Sequence, residues 1–238
     1  MGTKISWTDE TWNVVTGCTK CSAGCLHCYA ERQVPRLKAN HPHKYHNGFT
    51  LTLQPEELKK PYRWHKPRLV FVCSMSDVFH EDVPDYYLRD VFGMMHECDR
   101  HTFQVLTKRP ERMLQFSHTI EWPKNVWAGV TIERNDYVYR ADLLHQIPAS
   151  VRFISAEPLL GPLPDLDLTG IDQLIVGGES GPGWRPMDVE WARDLRDRCF
   201  AVGTAFHFKQ FAGLHPKRRG RELDGVMWDG MPSPRTGN

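Results

Sequence analysis

The sequence predicts a single-domain α/β protein, a TIM-like β/α barrel, closed or partial, with about six to eight parallel strands. Two observations support this prediction. Apolar, β-branched runs of strand length recur along the chain, and most are separated by segments with apolar residues at helical spacing. At 238 residues the chain is also long enough to bury the core of one barrel. Strands that alternate with helices pair in parallel through right-handed crossovers. A barrel, closed or partial, is the best fit to this pattern, and an open doubly wound sheet is the alternative.

The predicted elements follow one another in a regular order. A first strand, at residues 5–7 or 12–15, leads into a cysteine-rich segment, after which a helix starts at 30–34 and reaches Pro35. Six further strands are predicted at 69–74, 103–107, 126–132, 151–155, 173–176 and 205–208. Helices are predicted at 86–98, 111–116, 137–144 and 189–200. The exception is 157–171, where three prolines argue against a crossover helix.

Composition and charge narrow the class of protein. Apolar residues make up 40% of the chain and charged residues 25%, and the net charge is +1. These values are typical of a globular protein and give no overall attraction to nucleic acid or membrane. The sequence has no apolar run of about 18 residues and no apolar segment typical of a signal peptide, so we expect a cytoplasmic protein.

The end of the chain differs from the rest in composition. We expect the barrel to occupy residues 1–215, followed by a basic, partly disordered tail at 216–238. Lys217, Arg218, Arg219 and Arg221 form a basic cluster in this tail. Such a cluster can contact a phosphate backbone, although a solvated run of charge is the usual explanation.

Four of the seven cysteines lie close together, at Cys18, Cys21, Cys25 and Cys28, with the spacing C-x2-C-x3-C-x2-C. Thiolates this close can share a metal centre, and sulfur ligands select zinc, copper(I) or iron–sulfur clusters. Zinc modules usually separate two C-x2-C pairs by roughly 12–20 residues, much more than the gap at 22–24. A cluster of several irons suits the spacing better, because each thiolate binds a different iron. A structural zinc site is the alternative.

The cysteine segment resembles a known enzyme superfamily. Cys21, Cys25 and Cys28, followed by the aromatic Tyr29, resemble the signature of radical S-adenosylmethionine (SAM) proteins. The wider segments 13–18 and 24–31 resemble the N-P-x-x-G-C…C-x-x-C-Y-A pattern of spore-photoproduct-lyase-like members, and are closer still to an uncharacterised phage-associated family related to them. In that second pattern Cys18 replaces Cys21 as the first ligand. Val14 stands where the family often has proline.

The resemblance implies a reaction and its cofactors. Three thiolates would hold a [4Fe–4S] cluster, and SAM would bind the fourth iron. An electron from a flavodoxin- or ferredoxin-like donor would then split SAM into methionine and a 5′-deoxyadenosyl radical. The closer relatives imply a nucleic-acid or nucleotide substrate, in DNA repair or base modification.

Polar residues follow nearly every predicted strand, and barrel enzymes place their chemistry at these strand ends. In the terms of the family, Ser74, Ser76 and Asp77 occupy the place where the SAM amino group is received. Glu133 and Glu157 are candidates for the SAM ribose hydroxyls, and Tyr29 completes the cofactor-binding set. The candidate catalytic residues are Lys108, for the SAM carboxylate or a substrate phosphate, and Glu179, in a Gly-Gly-Glu-Ser-Gly segment suited to cradling a polar ligand.

A second class of protein fits the same residues. The cysteines and the basic tail would also suit a non-catalytic nucleic-acid-binding module stabilised by zinc or an iron–sulfur cluster. The sequence leaves this alternative open, and it leaves open whether Cys18 or Cys21 is the third ligand.

Overall fold

The computed structural model describes residues 3, 5–216 and 220–232. Within these residues the chain forms eleven strands and five α-helices. The strands are β1 (Glu10–Trp12), β2 (Val15–Thr16), β3 (Thr52–Leu53), β4 (Leu69–Val72), β5 (Thr102–Thr107), β6 (Val126–Thr131), β7 (Arg152–Ala156), β8 (Gln173–Gly177), β9 (Ala205–Gln210), β10 (Glu222–Leu223) and β11 (Val226–Met227). The helices are α1 (Tyr29–Asn40), α2 (Asp85–Glu97), α3 (Pro110–Ser117), α4 (Tyr139–His145) and α5 (Val189–Val202).

Seven strands form one parallel sheet in the order β1-β4-β5-β6-β7-β8-β9. Each strand pairs in parallel with the next sheet strand of the chain, as Val105 does with Ala128 across β5 and β6. A doubly wound sheet reverses its strand order at a switch point, and this sheet does not. The predicted TIM-like β/α architecture is therefore confirmed, in the partial form of seven strands.

The two faces of the sheet differ in what covers them. On one face, Val70 and Val72 of β4 belong to the main core together with helix residues such as Leu88 and Leu195. On the other face, Phe71 packs with Trp7, Phe153 and other side chains from strands and the amino-terminal segment. Helices on one face and a separate apolar cluster on the other are the arrangement of a barrel wall, with its interior on the helix-free side.

Gly129 of β6 lets an aromatic ring fill this interior. A Cβ at residue 129 would lie 2.4 Å from the ring of Phe153, which is fully buried. Because a real Cβ cannot approach a ring so closely, only glycine fits here unless the core repacks.

The predicted strands and helices agree with the structure to within about two residues at most ends, with two differences. The first sheet strand is Glu10–Trp12, which overlaps the second of the two predicted positions only at Trp12. Helix α1 continues through Pro35 to Asn40. The segment 157–171 contains no helix, as its prolines predict.

The segment after β9 packs back on the barrel. Strands β10 and β11 form an antiparallel hairpin in which Leu223 is fully buried. The Phe208 amide donates to the Trp228 carbonyl at 2.9 Å, which joins this segment to β9. Lys217, Arg218 and Arg219, and residues 233–238, lie outside the described residues, so the predicted tail boundary at 215 stays a prediction. None of the helices in the described part of the chain is long and apolar enough to cross a membrane.

Candidate functional site

Residues 17–28, called the cysteine loop below, begin next to the carboxyl end of β4. The Gly17 amide donates to the Met75 carbonyl at 3.1 Å, and the Ser76 hydroxyl donates to the Val15 carbonyl at 2.8 Å. Gly17 has φ +79°, and a Cβ there would lie 2.3 Å from the Thr50 carbonyl oxygen. The turn into the loop therefore requires glycine. These contacts place the loop at the carboxyl edge of the sheet, where the parallel strands end.

Asp77, after β4, links the loop to the next strand. Its carboxylate accepts from the Thr107 hydroxyl at 2.7 Å and from the Lys108 amide at 2.9 Å. Arg109 forms an ion pair with Asp77 at 3.5 Å and donates to the Thr19 hydroxyl at 2.9 Å. Arg109 Nη1 also lies 3.7 Å from Cys18 Sγ. The Asp77–Arg109 pair thus holds the first part of the cysteine loop.

Glu133, after β6, holds the middle of the loop. Its side chain is fully buried and accepts from the Ser22 hydroxyl and, at 3.0 Å, from the Gly24 amide. Its other oxygen accepts from Arg140 of α4 at 3.0 Å, and this guanidinium is only 2% exposed. A buried carboxylate is stable only when it is paired and hydrogen-bonded in this way.

Glu179, after β8, reaches the loop through an arginine. Arg185 donates to both Glu179 oxygens, at 2.9 and 2.6 Å, and its Nη2 also donates to the Ala23 carbonyl at 3.0 Å. Arg32 of α1 donates to the Pro182 carbonyl at 2.8 Å, which ties the same segment to the helix that follows the cysteine loop. Burial raises the pKa of Glu179, but hydrogen bonds from Arg185 outweigh it and lower the pKa below its usual value.

All four loop cysteines are free thiols, and each is at least partly exposed. A hydrogen bond from Cys21 lowers the pKa of Cys25 to about 4 against the effect of burial, and the Lys108 ammonium contributes to the lowering. The same hydrogen bond, together with burial, raises the pKa of Cys21. Burial and the Asp77 carboxylate raise the pKa of Cys18 to about 11. Cys25 is therefore present as thiolate, the form that binds metals, more readily than Cys18.

The thiol groups of the four loop cysteines are chemically suited to bind an iron–sulfur cluster. Four unpaired thiols lie on one short loop, Cys21 and Cys25 are in hydrogen-bond contact, and Cys18 is close enough to Cys25 for their charges to interact. Thiolate ligation is the usual way proteins hold such clusters. Within the described residues, no set of three or more His, Cys, Asp or Glu side chains is arranged to hold a metal ion.

The other predicted site residues lie around the same edge. The Tyr29 hydroxyl donates to the Ser74 carbonyl, and the Ser74 hydroxyl donates to the Asn13 side chain at 3.1 Å. Glu157, after β7, forms an ion pair with Lys209 of β9. Lys108 Nζ lies 3.5 Å from the Thr131 hydroxyl.

The charge on Lys108 is stabilised by its neighbours. Burial lowers the pKa of this ammonium, but the Glu133 carboxylate, with Cys25 and Asp77, outweighs burial and raises the pKa above its usual value. Lys108 is therefore a cation beside the cysteine loop, in the position from which it can meet an anionic ligand group.

The structure thus brings the cysteines together with Asp77, Lys108, Glu133 and Glu179. Glu157, after β7, instead pairs with Lys209 of β9. Several residues that hold the loop were not singled out from the sequence: Arg32, Tyr137, Arg140 and Arg185. None of the four directly follows a strand, so they lack the local signal that identified the predicted site residues. Cofactor roles for Ser74, Ser76, Asp77, Glu133, Glu157 and Tyr29 stay predictions.

Comparison with known proteins gives one family and several structures. A family model described as "Protein of unknown function (DUF5131)" matches residues 2–232. No curated protein matches the chain. Spore photoproduct lyase complexed with dinucleoside spore photoproduct is similar at 12% identity and a TM-score of 0.48, over 85% of this chain and 64% of that one. A mutant of that lyase with bound AdoMet and dinucleoside spore photoproduct gives 12% and 0.49 over the same shares. The chain therefore spans slightly less than two thirds of the length of these structures.

Proposed function

We propose that this chain, which belongs to the family described as "Protein of unknown function (DUF5131)", is a radical SAM iron–sulfur enzyme acting on a nucleic-acid or nucleotide substrate. One observation carries the proposal most strongly. A loop with four free thiols is held at the carboxyl edge of a parallel β/α sheet by carboxylates that follow three different strands. Barrel enzymes use this edge for catalysis, and the cysteine spacing is that of the radical SAM signature.

Cys25 and Cys28 are the proposed cluster ligands in either form of the signature, with Cys18 or Cys21 as the third. When bound, the cluster supplies the electron that splits SAM into methionine and a 5′-deoxyadenosyl radical. The Lys108 ammonium near Cys25 supports this role, because a nearby cation lowers the pKa of a thiol and a thiol must lose its proton to bind iron.

The chain's own residues divide into two groups in this proposal. Asp77, Glu133 and Glu179 position the cysteine loop, because their oxygens are occupied by partners on or next to it. Lys108 and the Glu157–Lys209 pair face the same edge with fewer partners, so we assign them to the polar groups of SAM or substrate. Lys108 is the proposed catalytic residue, whereas Glu179 acts through Arg185 on the loop.

The remaining expectations belong to the same proposal. The enzyme takes its electrons from a flavodoxin- or ferredoxin-like donor and works in the cytoplasm. Its reaction is DNA repair or base modification, in a phage setting.

The proposal is tested by SAM cleavage in cysteine variants. The protein is purified and reconstituted with iron and sulfide without oxygen, reduced in the presence of SAM, and assayed for 5′-deoxyadenosine. We expect product from wild type, none from Cys25→Ala or Cys28→Ala, and loss in only one of Cys18→Ala and Cys21→Ala. A purified protein that contains one zinc ion per chain would instead identify a metal-stabilised binding module. Cysteine variants that fail to fold, rather than fold without activity, would lead to the same conclusion.

A further inference from the structure

The net charge of +1 hides an uneven distribution of charge along the chain. Residues 32–68, which run from α1 to the start of β4 and are called the basic crossover below, contain nine lysines and arginines and only two acids, Glu56 and Glu57. Because the whole chain has 30 lysines and arginines and 29 acids, the rest of the molecule is negative overall. A basic segment on such a molecule is a local site of attraction for anions.

Several cations of the basic crossover have no acidic partner. Four of them are exposed, and their side chains form no ion pair or hydrogen bond with any residue that the structure describes: Arg36, Lys59, Arg63 and Lys66. The side chains of Arg32 and Lys38 donate to backbone carbonyls, so no described carboxylate neutralises them either. On α5, by contrast, Arg193 and Arg196 share the Asp224 carboxylate. An unpaired, exposed cation can meet a phosphate without first losing an ion pair.

Trp64 orders the end of the basic crossover. It is buried, and the Lys60 ammonium and the Arg68 guanidinium lie 5.8 and 5.7 Å from the centre of its ring. Arg68 also pairs with Glu10 at 3.4 Å, so it is not one of the free cations. A backbone that is anchored in this way presents its exposed cations at a smaller entropic cost of binding.

The basic crossover extends from the carboxyl edge of the sheet to the amino edge. Its Phe49 carbonyl accepts from the Cys18 amide at 3.1 Å, which places this part beside the cysteine loop. Its last residues lead directly into β4, at the amino end of that strand. Lys44 joins the two halves, because it pairs with Glu57 at 2.8 Å and its carbonyl accepts from the Gln54 side chain at 2.9 Å. Since α1 alone is about 18 Å long, the cations are spread over a greater length than one phosphate group occupies.

The spacing of these cations suits a polymer of phosphates. A nucleic-acid strand carries one negative charge per about 3.4 Å of its axis, so a single strand can meet cations along the whole segment. A single anionic group, such as a free phosphate, can meet only one or two of them. The free cations and their spread along the segment therefore favour a nucleic acid as the occupant.

We propose that the basic crossover binds the phosphate backbone of a nucleic acid whose reacting unit lies at the carboxyl edge, beside the cysteine loop. The proposal rests on the proposed function, because it names the surface that holds the substrate of that site. It assigns phosphate contacts to Arg36, Lys59, Arg63 and Lys66. Because phosphate contacts carry no sequence information, binding through this surface is independent of base sequence.

The salt dependence of oligonucleotide binding tests this proposal on the full-length protein without SAM. A fluorescein-labelled oligonucleotide of mixed sequence is titrated, as a single strand and as a duplex, and anisotropy is followed between about 50 and about 200 mM salt. Each lost phosphate contact makes the slope of log K against log salt shallower by about 0.7–0.9. For the form that binds more tightly, we expect Lys59→Gln/Lys66→Gln to bind at least about ten-fold more weakly at the lower salt, with a slope shallower by about 1.4–1.8.

Two further variants separate phosphate contact from a general effect of charge. Lys59→Arg/Lys66→Arg keeps both positive charges and should stay close to wild type. Arg89→Gln/Lys124→Gln is the matched control, because it removes two exposed positive charges that lie outside the basic crossover. This control should keep the wild-type slope.

Three outcomes would overturn the proposal: no binding of either oligonucleotide form to wild type, equal losses in Lys59→Gln/Lys66→Gln and the matched control, or an unchanged salt slope in the former. Polyglutamate or phosphatidylserine vesicles that compete as well as unlabelled oligonucleotide would identify an acidic protein or a membrane as the partner and also contradict it. Wild-type SAM cleavage is measured separately. If SAM is not cleaved but binding still depends on Lys59 and Lys66, the radical SAM function fails and the binding surface stands. If SAM is cleaved and the double variant binds as wild type does, the surface fails and the function stands.

Discussion

Glu133 joins parts of the chain that lie far apart in sequence. Its hydrogen bond to Ser22 spans 111 residues, and its ion pair with Arg140 reaches the helix that follows β6. Both carboxylate oxygens are occupied, which explains how a charged side chain tolerates full burial. The residue therefore sets the position of the cysteine loop relative to the sheet, and its removal should affect stability as well as the site.

Glu133→Gln tests this role. The substitution leaves Arg140 with an uncompensated charge in a buried site, so we expect the free energy of unfolding to fall by about 3 kcal/mol. Glu190→Gln is the matched control, since Glu190 pairs with Arg193 on the surface and its loss should cost less than about 1 kcal/mol. Urea unfolding of both variants gives the comparison. Similar losses in the two would mean that the buried pair contributes no more than a surface pair.

His207 on β9 makes stability depend on pH. Burial and the Arg221 guanidinium lower the pKa of His207 to about 4, from its ordinary value of 6.5. Between these values the unfolded chain binds a proton that the folded chain does not, so the free energy of unfolding falls as pH is lowered from 6.5 to 4. The contribution is present in full above pH 6.5 and amounts to at most about 3 kcal/mol.

Urea unfolding across this pH range, in wild type and His207→Gln, isolates the effect. The difference in unfolding free energy between the two proteins should shrink as pH falls toward 4. A difference that does not change with pH would show that His207 titrates alike in the folded and unfolded states.

At the scale of elements, the sequence predicted those strands that are buried and consist of a continuous apolar run. β4 and β8, with the sequences LVFV and QLIVG, are covered on both faces and therefore lack polar alternation. β1 was misplaced because it is ETW, in which only Trp12 is fully buried. Residues 10–12 form a strand because they pair with β4, and this pairing is a tertiary contact that no local sequence pattern reveals.

The same limit applies to the candidate site. The carboxylates after the strands were predictable, because charged residues directly after apolar runs mark strand ends. The partners of these carboxylates could not be predicted. Arg185, the partner of Glu179, also donates to the Ala23 carbonyl, and that bond spans 162 residues and depends on the order of strands in the sheet. The prediction that Asp77, Glu133 and Glu157 contact SAM remains untested, whereas the observed contacts of Asp77 and Glu133 hold the loop.

Two glycine substitutions test the packing of these elements. Gly129→Ala would place a Cβ 2.4 Å from the Phe153 ring inside the barrel, so we expect a loss of about 1–3 kcal/mol in unfolding free energy. Gly93→Ala, in α2, meets no atom within 4 Å and should gain about 0.5–1 kcal/mol from helix propensity. Thermal unfolding of both variants measures the contrast. Equal effects would contradict the described packing of Phe153.

At the scale of the whole molecule, the sheet and the cysteine loop form one structure. Asp77 after β4, Glu133 after β6 and Glu179 after β8 reach successive parts of the loop, so the strand ends act as a frame for the thiols. The helices pack on the opposite side from the apolar interior, and the carboxyl edge carries the loop and the Lys108 ammonium. A frame of this kind is expected where a cofactor must be held in one position.

The most direct test of this account is the electron paramagnetic resonance spectrum of the reduced, reconstituted protein with and without SAM. The account predicts a [4Fe–4S] signal that SAM alters in wild type, because SAM binds the open iron, and no such signal in Cys25→Ala. A cluster signal that SAM leaves unchanged, or a protein that takes up zinc in place of iron, would contradict it.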